Sequence, residues 1–149
     1  MILMPQDDYK RWSGKYPPEV VQREFSRMAD LWEQALPRFR EAMRAVPISR
    51  RRQADEDLAI AETCYLHFRS TANQFAFYLL RDGSRTPEAL QRMRAIAKAE
   101  IELARRLYPL ARLHSVIAYE ASNHYYYRPA DLAEKILNCQ WLLDNELKG

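Results

Sequence analysis

The chain has 149 residues, enough for one domain with its own core. Hydrophobic residues make up 48% and charged residues 29%, with a net charge of +3 whose acids and bases are mixed through every segment, so no polyanion is implied as a partner. Only 3 glycines are present, which disfavours an all-β fold rich in tight turns, and the longest apolar runs fall well short of the ~20 residues of a membrane span.

In chain order, residues 1–16 carry no periodicity and read as a lead-in segment with two anchors, Tyr9 and Trp12. The opening "MILMPQDDYKRW" has too short an apolar run for a signal peptide, and a cytoplasmic location is expected. Residues 17–149 are read as one helical domain. In "YPPEVVQREF" the two prolines suit the first helical turn, where a missing N–H costs nothing. Apolar residues then recur at Val21, Phe25, Met28, Trp32, Ala35, Phe39, Met43 and Val46, the three-four spacing of a helix. The stripe keeps its phase across Pro37, which predicts one kinked helix ending at Pro47.

A second helix is predicted from about residues 49–54 to Arg81. Leu58, Ala61, Tyr65, Phe68, Ala72, Phe75 and Leu79 form one stripe, and Ile60, Cys64, His67, Thr71 and Phe77 or Tyr78 widen it. A helix apolar over so much of its circumference is central. At its start, "RRR" at 50–52 followed by "DED" at 55–57 reads as a solvated end whose basic and acidic turns face each other. "RDGSRTP" then stops one helix and starts another, with Gly83 as a left-handed cap, Thr86 as N-cap and Pro87 as first helical residue. The third helix carries Leu90, Met93, Ala97, Ile101, Ala104, Leu107 or Tyr108, and Ala111, and should bend at Pro109. Pro129 starts the fourth, with Leu132, Ile136, Cys139, Leu143 and Leu147 on one face. The expected fold class is all-α, an up-down four-helix bundle with long, proline-kinked helices. Cys64 and Cys139 both fall in apolar helical patterns, where buried free thiols are the usual state and a disulfide requires that their helices touch.

No catalytic signature is present. A di-iron bundle needs Glu-x-x-His on two helices, a spacing absent here; Glu62 and His67 are five apart, Glu120 and His124 four apart. Gly14, Gly83 and Gly149 are too scattered for a phosphate loop. No cofactor or metal is expected, and a small enzyme or metal protein using His67, Glu120 and His124 is the weakest reading. The distinctive feature is "YEASNHYYYRP", residues 119–129, where aromatic faces and polar edges are packed into one connection. Such surfaces suit sugars or a protein hot spot, and equally suit tyrosines filling the end of a bundle.

The segments "ARRLYPLARLHSVIAYEASNHYYYRPADLAEKILNC" (104–139), "CYLHFRSTANQFAFYLLRDG" (64–83) and "YPPEVVQREFSRMADLWEQAL" (16–36) resemble the helical C-terminal region of large glycoside-hydrolase-like proteins, in which a catalytic barrel precedes a helical domain. The resemblance covers most of the chain from Tyr16 onward and supplies no catalytic residue. It implies a non-catalytic accessory domain presenting Glu120, Asn123, His124, Tyr125, Tyr126, Tyr127 and Arg128 to a catalytic barrel domain or a glycan. His67, Arg69 and Asn73, from "HFRSTAN", form a second candidate contact on the central helix, Arg69 having as its alternative role a pair with a bundle glutamate. The competing reading is a free-standing bundle whose aromatic patch joins it to another protein or to a second copy as a homodimer. Neither nucleic acid nor membrane is expected as a partner.

Overall fold

The computed structural model describes residues 8–118 and 127–148, apart from the side chain of Ala118, and every regular element among them is helical. A short helix α1, Tyr9–Trp12, is followed by α2, Pro18–Met43, and a 3-10 turn, Ile48–Arg50, leads into α3, Arg51–Asp82. Then come α4, Pro87–Leu113, a short α5, Ser115–Ala118, and α6, Pro129–Asn145. Proline opens α2, α4 and α6, and Thr86 caps α4 by accepting from the Ala89 N–H at 3.2 Å. The main packing runs α2 on α3, α3 on α4 and α4 on α6. None of the helices among the described residues is long and apolar enough to cross a membrane.

The long helices run unbroken through their interior prolines, Pro37 in α2 and Pro109 in α4. The first helix nevertheless ends earlier than its apolar stripe predicts. Arg44, Ala45 and Val46 bond back only three residues, to Glu41, Ala42 and Met43, so the chain tightens ahead of Pro47 and Val46 lies beyond the helix. Gly83 also departs from expectation. It is extended, at φ −86° and ψ −164°, and not left-handed. A Cβ there would stand 3.2 Å from the Leu79 carbonyl oxygen, so close approach is what the position requires of glycine. The arginine run behaves differently too: Arg51 turns back to the carbonyls of Met43 (2.8 Å) and Val46 (3.3 Å), closing the end of α2, where it had been expected to face the acidic turn.

The core has two parts. The larger gathers Leu36, Tyr65, Leu66, Leu103, Leu107 and Leu132, with the alanines of α3 and α4 allowing close approach. The smaller joins Met93, Ala97 and Ile101 of α4 to Leu143 and Leu147 around the end of α6, and Ile136 packs against both. Beside the lead-in segment, Tyr9 stacks on Tyr78 with ring centroids 5.5 Å apart and donates its hydroxyl to Asp82 at 3.1 Å. Trp12 lies between Phe25 and Phe75, at 6.1 and 5.3 Å. Cys64 and Cys139 are free, half-buried thiols whose ionisation burial pushes upward.

Candidate functional site

On α3, His67, Ser70 and Asn73 recur every three residues, so they follow one another along a single side of the helix. That side meets α4 and the beginning of α6, and a polar cluster forms there inside an otherwise apolar seam. Its centre is Glu100 of α4, only 5% exposed. One carboxylate oxygen accepts from Ser70 Oγ at 2.7 Å and from the Lys135 ammonium of α6; the other accepts from Asn73 Nδ2 at 2.7 Å. Lys135 also donates to Ser70 Oγ at 2.8 Å, as does Gln74 Nε2 at 3.1 Å. Ser70 therefore donates once and accepts twice, which uses the full capacity of a hydroxyl. No buried side-chain nitrogen or oxygen among the described residues lacks a partner. A desolvated carboxylate held this way is a structural strut joining three helices.

Tyr127 enters the same seam from the start of α6. Its hydroxyl bonds His67 Nδ1, and the rings meet edge to face with centroids 5.9 Å apart. Beneath it, Tyr127, Leu66, Leu103, Leu107, Leu132 and Lys135 line a cavity of about 10 Å³, no roomier than one water. Burial and the neighbouring Lys135 charge hold the His67 pKa below the ordinary histidine value, so the neutral ring is favoured.

A pH dependence follows. The unfolded chain takes up a proton on His67 near the usual value of about 6.5, whereas the folded chain resists it. Between the two values the unfolded state binds more protons, so this contribution is complete above the unfolded pKa and is lost as pH falls toward the lower folded one. Thermal unfolding followed by circular dichroism should therefore show Tm dropping between pH 7.5 and 5.5, and His67→Gln should flatten that slope. Equal slopes in both proteins would remove His67 from the account.

The remaining predicted site residues separate. Arg69 Nη2 pairs with Asp30 at 2.5 Å and Glu33 at 3.4 Å on α2, and lies over the Tyr65 ring at 6.0 Å, so it takes the helix-to-helix pairing role. Asn73 is engaged by Glu100, not turned to an open surface. Arg128 forms a two-pronged contact with Asp131 in the first turn of α6, at 2.9 and 2.8 Å, and holds that carboxyl below its usual range. Glu120, Asn123, His124, Tyr125 and Tyr126 lie outside the described residues. Glu62, considered with His67 for a metal, pairs with Arg40, and no group of three or more metal-ligating side chains occurs among the described residues.

Sequence reasoning brought forward His67, Asn73 and Tyr127 but missed Glu100 and Lys135. A signal existed: Glu100 falls three residues after Ala97 and four before Ala104, which places a carboxylate on the inward face of α4. Lys135 similarly lies three residues after Leu132 and four before Cys139. Comparison with family models, curated proteins and solved structures finds no match to this chain.

Proposed function

We propose that this chain is a non-catalytic accessory domain, an up-down four-helix bundle, that presents the link before α6 to a catalytic partner domain or a glycan. The observation that carries the reading is the attachment of Tyr127 to His67 on the central helix α3. The end of the link is tied to α3, which packs against both α2 and α4, and Arg128 clamps the next turn to Asp131. On the other side, Ile117 is buried in the main core. Ile117 and Tyr127, on either side of residues 119–126, are both anchored in the helical body. The likeness of the same residues to the helical region of glycoside-hydrolase-like proteins supplies the partner class: a barrel domain, or the carbohydrate it handles.

A second reading, a free-standing interaction or self-association module, draws support from Leu113 and Val116, both exposed just before the link. One experiment separates the two. Tyr126→Ala and His124→Ala are titrated against a neighbouring catalytic domain and against a glycan array, with circular dichroism as control. The accessory reading expects binding to weaken by about tenfold or more, as for an aromatic hot spot, at unchanged helicity. Loss of helicity would make the cluster core. A dimer that dissociates in either variant, with no binding to domain or glycan, would transfer the case to self-association.

A further inference from the structure

α1 is four residues long, far below the roughly 12–15 at which a helix holds its shape unaided, so its partners set its conformation. The backbone hydrogen bonds of residues 8–16 stay within that segment among the described residues, and side chains make the attachment to the body. Tyr9 carries most of it. Its ring stacks on Tyr78 and meets Phe75 edge to face at 6.0 Å, and its hydroxyl reaches Asp82 where α3 ends. Lys10 adds an exposed ion pair to the same carboxylate at 3.5 Å, a contribution of little weight. Trp12 rests on Phe25 and Phe75 but remains 49% exposed. None of these aromatic residues belongs to either part of the core. Between α1 and α2 the chain turns at Gly14, left-handed at φ +62°, where an added Cβ would meet nothing within 4 Å.

We propose that α1 is a strap that opens as a unit over a peptide-binding groove, and that the groove's ligand is a short helix of a partner protein with tyrosine and tryptophan three residues apart. The strap itself defines what the groove accepts. It takes a phenol that stacks on Tyr78 and donates to Asp82, a cation beside that phenol, and an indole laid on Phe25 and Phe75. Lifting the strap uncovers Phe75 and Tyr78 while both parts of the core keep their contacts, so the opening is local. The uncovered rings favour either reclosure or a competing ligand of the same chemistry. Tethering gives the strap the advantage of effective concentration. A partner offsets it by length: a longer helix keeps the same anchors without the weakness of a four-residue one. This surface lies where α3 ends, whereas the link before α6 follows the far end of α4, and it does not rest on the function proposed above.

The test uses the whole chain with its strap disabled by Tyr9→Ala/Trp12→Ala, and a labelled peptide of residues 8–16, "DYKRWSGKY", as the probe. Fluorescence anisotropy should show the peptide binding the variant about tenfold tighter or more than the parent, whose groove is filled, and a peptide with alanine for tyrosine and tryptophan should not bind. Hydrogen exchange supplies a second readout. In the parent, amides of residues 9–13 should open about 100-fold more often than the centre of α3. Tyr9→Phe, which keeps the ring and loses the bond to Asp82, should raise that opening by about tenfold and leave the centre of α3 unchanged. The proposal is overturned if the peptide fails to bind the double variant, if it binds the parent equally, or if its alanine form binds as well. It is also overturned if the double variant loses its helicity, or if residues 9–13 exchange in the parent only as fast as the centre of α3, since α1 is then part of the body. A parent dimer that the free peptide dissociates would overturn it in favour of a second copy's strap.

Discussion

Glu100→Ala is expected to lower the free energy of unfolding by about 3–5 kcal/mol, the range for removing one partner of a buried ion pair. The carboxylate is 5% exposed and satisfies Ser70, Asn73 and Lys135 together, so its loss leaves donors from α3 and α6 facing an apolar seam. Lys135 is part-exposed and can turn its ammonium toward water, which sets the cost toward the lower end of that range. Ser70, itself buried, has no such escape. Since whole domains of this kind are stable by about 5–15 kcal/mol, the substitution should move the urea midpoint far toward zero. Glu100→Met combined with Lys135→Met should cost less than Glu100→Ala alone, because it removes both charges and retains volume. An Ala variant within 1 kcal/mol of the parent would mean that the cluster contributes no cohesion. Hydrogen exchange adds a spatial readout: protection should fall first in α6, which Lys135 ties to the other helices.

The same residues mark where sequence was and was not a sufficient guide. Helical periodicity found all four long segments, because burying one face repeats every three or four residues whatever the neighbours are. Helix starts at Pro18, Pro87 and Pro129 were equally legible, since proline suits only the first turn. Endings were less so. Gly83 offered a left-handed cap by residue type, but the chain leaves α3 there in an extended conformation, in which a Cβ would stand 3.2 Å from the Leu79 carbonyl oxygen. The candidate site divides in the same way. His67 and Asn73 stood out as polar residues on a central helix, but their partners are 60 and 27 positions distant, on segments whose relative placement no pattern in the chain reveals. Arg69 was visible as a cation; that Asp30 and Glu33 take it followed only once α2 was set against α3. Glu100 was passed over because a glutamate in a helix is usually solvated, and only its phase relative to Ala97 and Ala104 argued otherwise.

Leu66→Ala is expected to cost about 3–5 kcal/mol, comparable to the loss of Glu100 but by a different mechanism. Leu66 is 2% exposed and was absent from the predicted stripe, which ran through Tyr65 and Phe68. It belongs to the opposite shoulder of α3, turned to Leu103 and Leu107 of α4 and Leu132 of α6. A central helix buries more than one stripe, and a reading that follows a single line of residues undercounts it. The truncation enlarges a cavity that already measures about 10 Å³, and the strut at Glu100 and the alanine-rich contact of α3 with α4 restrict collapse around it. The cost therefore lies in the upper part of the usual leucine range. Leu137→Ala, on the exposed face of α6, should stay within about 0.5 kcal/mol in the same urea titration. Leu66 also shares its cavity with Lys135, so Leu66→Ala and Glu100→Ala act on one seam and should not add. A double variant whose loss equals the sum of the two would mean that the polar strut and the apolar seam are energetically separate, and that the cluster around Glu100 does not fix the packing beneath Tyr127.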